Sequence, residues 1–105
     1  MSKLLQDNSS YLRLLLDTSK NQALLLLQYT TPAQANVICE IAYNLLDLPL
    51  SSSIQEKQVS KNKKTLLKLS KKTTSVKNKQ KLISDNSRSL LGLLETVKEA
   101  LLGLI

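Results

Sequence analysis

Ten lysines lie between Lys57 and Lys81, a stretch that contains no Asp or Glu: Lys57, Lys61, Lys63, Lys64, Lys68, Lys71, Lys72, Lys77, Lys79 and Lys81. An ammonium group on a flexible stem is a point charge. It neutralises phosphate but lacks the planar fork with which Arg reads guanine. The stretch also has no Arg and no aromatic residue, so its own residues offer no surface for base stacking. The chemistry left to it is binding to a polyanion backbone by counterion release, without sequence preference. Residues 1–56 carry three basic and five acidic side chains, and residues 85–105 carry two and three, so the net charge of +7 is concentrated in the middle. Such a block attracts nucleic acid or anionic lipid. The plainer use of the same block is a solvated face that keeps a leucine-rich chain in solution. Lys61–Lys64 and Lys71–Lys81 also have the layout of a two-part nuclear import signal.

The remaining residue types argue against catalysis. There is no His, there are no paired carboxylates in one apolar setting, and there is no Gly-rich phosphate loop. With one cysteine and no His there is no zinc-ligand set and no intramolecular disulfide. Cys39 is flanked by Ile38 and Glu40, which reads as a small buried hydrophobe in a reducing compartment. The expectation is a non-enzymatic protein with no cofactor, no metal and no small-molecule substrate.

A chain of 105 residues with no Phe or Trp, two Gly and two Pro must build its core from aliphatic side chains in helices. Ser9 or Ser10 is expected to cap a helix running to about Asp17. Ser19 to Gln22 reads as a capping box, followed by the apolar run Leu24–Leu27, which needs burial on more than one side or an apolar partner. Thr31-Pro32-Ala33-Gln34 is the clearest helix start in the chain, with Pro32 at the first helical position. That helix should reach about Asp47, with Val37, Ile38, Ile41, Ala42 and Leu45 on one face, and Pro49 should prevent its continuation. A further box at Ser53–Glu56 opens a lysine-bearing helix whose apolar positions are Ile54, Val59, Leu66, Leu67 and Leu69. Ser70–Ser75 reads as a break, Val76–Ile83 as a short basic helix, and Ser84–Ser89 as a polar linker.

The tail from Leu90 to Ile105 is amphipathic, with Leu90, Leu94, Val97, Leu101 and Leu104 recurring at alternating four and three. This face has two uses: the last helix of a bundle, or a contact with a membrane surface or partner. Glu95 and Glu99 on its polar side oppose anionic lipid. No apolar run reaches the length of a spanning helix or the continuous stretch of a signal peptide.

The order of parts resembles a known pattern. Thr30-Thr31-Pro32-Ala33-Gln34, then Ile38-Cys39-Glu40-Ile41-Ala42-Tyr43-Asn44-Leu45-Leu46, then Leu48-Pro49-Leu50-Ser51, looks like short late proteins of Polinton/Maverick elements and adintoviruses. There, such a stretch leads into a basic helix pair, here Lys57–Leu69 and Lys71–Leu82, and a hydrophobic C-terminus. The layout is also similar to the adenovirus core protein X precursors, small DNA-condensing virion components. The resemblance covers roughly residues 12–105. It implies a core protein of the virion and host nucleus, with capsid proteins or further copies of itself as partners.

The combined expectation is an all-α chain in three parts: a small helical unit (1–50), a lysine-rich basic helical segment (51–84), and a linker with an amphipathic C-terminal helix (85–105). Its expected function is sequence-independent binding and condensation of double-stranded DNA. The alternatives are a membrane-active accessory virion protein using the C-terminal helix, and a non-enzymatic protein-interaction module. The sequence leaves open whether residues 57–84 pack on the front unit or order only on a polyanion.

Overall fold

The computed structural model describes residues 3–47 and 53–102. Among them are eight helices and no strand: α1 (Lys3–Asp7), α2 (Ser9–Asp17), α3 (Lys20–Gln28), α4 (Pro32–Asp47), α5 (Ser53–Ser70), α6 (Val76–Asp85), α7 (Ser87–Thr96) and α8 (Lys98–Leu102). The chain is all-α. The helix stop expected at Leu48 and Pro49, and the last residue of the tail stripe, Leu104, lie outside the described residues.

Local chemistry sets the helix starts. At Thr31 the box is reciprocal: the Gln34 amide donates to Thr31 Oγ1 at 3.1 Å, and the Thr31 amide donates to Gln34 Oε1 at 3.0 Å. Ser19 caps α3 by accepting from the Gln22 amide at 3.3 Å. The Gln22 side chain does not complete that box; its Oε1 accepts from the Thr18 hydroxyl instead. Ser75 caps α6, accepting from the Asn78 amide at 3.2 Å. The cap expected of Ser9 or Ser10 is not made: both lie within α2, and Asn8 holds the cap position.

Helix α4 packs against α5 and α6, α5 packs on α7, and α3 packs on α6 and α7. Leu15, Leu27, Val37, Leu45, Leu66, Leu69, Ile83, Leu93 and Val97 are the largest fully buried side chains, so the bulk of the core is aliphatic. These residues come from all three parts of the chain and join one hydrophobic cluster. The radius of gyration, 12.4 Å, is that of one packed unit of this length. Residues 57–70 and 76–84 are helical and packed here, joined by a turn, with Leu66, Leu69 and Ile83 carrying the lysine segment into the core. In the leucine run, Leu27 is buried, Leu24 and Leu26 are partly buried, and Leu25 is 55% exposed.

Three expectations are corrected. Ser84–Ser89 is not a linker: α6 continues to Asp85, Asn86 alone interrupts it, and α7 begins at Ser87. The alternating four-three spacing of the tail extends back through Ser87 to Ile83, and Ser87, 5% exposed, holds a core position despite being polar. Asn86 is tied to the preceding turn by its Nδ2, which donates to the Leu82 carbonyl at 2.8 Å. Second, Ile54 and Leu67 are not core positions of α5, being 67% and 45% exposed. The inward face of α5 is set by Val59, Asn62, Leu66 and Leu69, and residues 54 and 67 fall off it by helical period. Asn62 sits among the apolar residues at 5% exposure, and its Nδ2 donates to the Gln58 carbonyl at 2.8 Å. Third, the tail stripe is no outward face: Leu90, Leu94, Val97 and Leu101 are at most 5% exposed and lie in the core. Lys98 Nζ on α8 also meets Asp17 Oδ1 at the end of α2, at 3.0 Å.

Two outcomes are expected of this core. Leu93→Ala, at a site 1% exposed, should cost about 2–5 kcal/mol in urea denaturation and shift one transition for the whole chain, not a separate tail transition. The Tyr11 hydroxyl is buried with no hydrogen-bond partner among the described residues, and burial raises its pKa from 10.0 to about 12. The raised value means its contribution is complete below pH 10 and is lost as pH rises through about 12. Tyr11→Phe should therefore be at least as stable as the parent at neutral pH, and its advantage should widen between pH 10 and 12 in matched denaturation curves.

Candidate nucleic-acid interface

Helix α5 buries one face and is thereby forced to present the other. Lys57, Lys61, Lys64 and Lys68 are spaced four, three and four, so they fall in one row, and all four are exposed. The row is about 16 Å long at the α-helical rise. Lys63 stands off it, on the flank that also carries Glu56. No carboxylate interrupts the row itself.

The row continues into the turn that joins α5 to α6. Lys71 and Lys72 are exposed there, just past the C-terminal end of α5, where the helix dipole favours cations. That turn is tied back on the helix. Ser70 Oγ donates to the Leu67 carbonyl at 2.9 Å, and Thr74 Oγ1 donates to the Lys68 carbonyl at 3.1 Å. Both bonds satisfy carbonyls that the helix end leaves free. On α6, Lys77 and Lys81 are exposed one turn apart, and Lys79 is partly buried against α4. The only ion pair among the described residues is Lys98–Asp17, and none of the ten lysines takes part in one.

The junction of α4, the end of α5 and α6 forms a cleft of about 490 Å³. Lys71, Lys72 and Lys79 stand on one side, and Asn36, Glu40 and Tyr43 of α4 on the other. Those three α4 residues are spaced four and three, the row left outward when Val37, Ile38, Ile41 and Leu45 turn inward. The sequence reading missed them. The usable signal was a second helical row in α4, polar and aromatic, beside the apolar one. The lysine segment itself has no aromatic residue, but the fold brings Tyr43, 55% exposed, to three of its lysines.

Cys39 lies on the floor of this cleft, 7% exposed. Its sequence neighbour is Glu40, yet the charge it feels from across the cleft is Lys79, which pulls the thiol pKa down. Burial pushes it up more strongly, so the net shift is upward and the thiol stays protonated at neutral pH. No group of His, Cys, Asp or Glu that could hold a metal ion occurs among the described residues. No helix among them is long and apolar enough to cross a membrane. Iodoacetamide should alkylate Cys39 in the native protein far more slowly than in urea, followed by mass spectrometry; equal rates would mean the thiol is open to solvent.

No family model, no curated protein and no solved structure matches this chain.

Proposed function

We propose that this protein binds double-stranded DNA without sequence preference, by setting lysine ammonium groups on backbone phosphates, and so condenses it. The observation that carries this reading is the exposed row Lys57, Lys61, Lys64 and Lys68, uninterrupted by any carboxylate and without an ion-pair partner. A duplex carries one charge per about 1.7 Å of axis, so a helix laid along it offers a phosphate to every lysine of the row. Each contact releases condensed counterions, and the entropy of that release drives binding. Lysine alone gives no bidentate readout of base edges, so affinity should not depend on sequence. The resemblance stated for roughly residues 12–105, carried by the motifs between Thr30 and Ser51, suggests the setting: a minor core protein of a virus-like element, in the host nucleus and virion, beside capsid proteins or further copies of itself.

The membrane reading has less support. Leu90, Leu94, Val97 and Leu101 are core residues, so insertion of the tail would first have to open the protein. The apolar face needed for that role is already spent on α3 and α5.

Fluorescence anisotropy with two duplexes of unrelated sequence, across a salt series, tests the proposal. Equal affinities are expected, with a slope of log affinity against log salt of about −4 to −5 if half the lysines engage. Changing Lys57, Lys61, Lys64 and Lys68 together to Gln should weaken both duplexes alike and make the slope shallower by about 3–4. An unchanged slope would sink the proposal. Binding to anionic vesicles but not to DNA would transfer the lysine block to lipid.

A further inference from the structure

The cleft between α4, the end of α5 and α6 has a composition that neutralising a duplex does not require. Neutralisation asks for cations on a convex face. This is a concavity, and it pairs three ammonium groups with a carboxylate, an amide and a phenol ring. Glu40 has no ion-pair partner among the described residues, so it is not there to hold Lys71, Lys72 or Lys79 in place. A simple anion gains from the lysines and loses to Glu40. The arrangement suits a ligand with two unlike ends: one anionic, the other flat and carrying hydrogen-bond donors. At about 490 Å³ the cleft is within the size range of small-ligand sites.

We infer that this cleft is a binding site for an unpaired nucleotide, with its phosphate among Lys71, Lys72 and Lys79 and its base against the Tyr43 ring. Glu40 then accepts from an amino or imino group on the edge of the base, and the Asn36 amide can donate to or accept from the same edge. An acidic peptide would offer the anion without the flat ring. A base inside a duplex is stacked and paired on both sides and cannot reach Tyr43, so the site discriminates against intact double helix. Lys79 is partly buried where it lines the cleft beside Cys39. The nucleotide can come free or as an unpaired unit of a strand; both offer the same phosphate and base. The site does not depend on the duplex reading, because it uses a different part of α5 and a different state of the base.

Titration of the full chain with adenosine monophosphate and with inorganic phosphate, followed by amide chemical shifts, tests this. The monophosphate should bind about tenfold more tightly than phosphate, the lower range of base–aromatic stacking, with shifts concentrated in residues 36–43 and 69–79. Tyr43→Leu changes an exposed side chain and should fold normally. It should bring the monophosphate down to the affinity of phosphate and leave phosphate itself unchanged. Lys79→Gln should weaken both ligands. Lys61→Gln, outside the cleft, should leave monophosphate binding intact while weakening duplex binding. A short single-stranded oligonucleotide that displaces the monophosphate would name a strand as the source, and one that does not would name the free nucleotide. Equal affinities for the two small ligands would overturn the inference. So would shifts spread over all ten lysines, or a Lys61→Gln effect as large as that of Lys79→Gln. Failure of duplex binding with monophosphate binding retained would remove the proposed function and leave this site standing.

Discussion

The burial of Leu66, Leu69 and Ile83 is the constraint on which the charged surface depends. Lysine-rich helices do not choose their outward face by their lysines; those side chains are solvated wherever they point. The few apolar residues decide it. Because Leu66 and Leu69 face α4 and α7, Lys57, Lys61, Lys64 and Lys68 must line up on the other side. Because Ile83 is wholly buried, Lys77 and Lys81 face out and Lys79 is drawn toward α4. The turn between the two helices is shaped by Ser70, Thr74 and Ser75, whose hydroxyls satisfy the end of one helix and the start of the next. The cationic surface is thus a consequence of aliphatic packing and capping.

The core achieves this without Phe or Trp. Long stretches of regular spacing take their place. The longest runs Ile83, Ser87, Leu90, Leu94, Val97 and Leu101, carried across α6, α7 and α8 although the helix is interrupted at Asn86 and Val97. Ser87 is the smallest member of that row. Asn62 is the comparable polar residue in α5, satisfied locally by the Gln58 carbonyl and so tolerable among apolar neighbours. All three parts of the chain contribute to this one cluster.

Much of this was legible in local sequence. Thr31-Pro32-Ala33-Gln34, Ser19, and the row from Val37 to Leu45 each depend on residues within a few positions of one another, and the structure follows them. The start of α6 after Ser75 was readable in the same way. Ser84–Ser89 misled because four of its six residues are Ser or Asn, and composition outweighed the period that runs through it. Ile54 and Leu67 misled because hydrophobicity was counted before the face was fixed. The cleft was beyond local reading. Asn36, Glu40 and Tyr43 meet Lys71, Lys72 and Lys79 only because α4 packs against both lysine helices, and that juxtaposition depends on the tertiary arrangement.

The unpaired state of the ten lysines has a consequence for the protein alone. Packed in one small body and in no ion pair among the described residues, they repel one another, which opposes folding. Dissolved ions screen that repulsion. Salt therefore steadies the free fold, and would loosen a polyanion bound in the proposed way. A polyanion bound as proposed would add to that screening and, by binding the folded form, would shift the unfolding equilibrium toward it. The free fold is therefore most vulnerable at low salt.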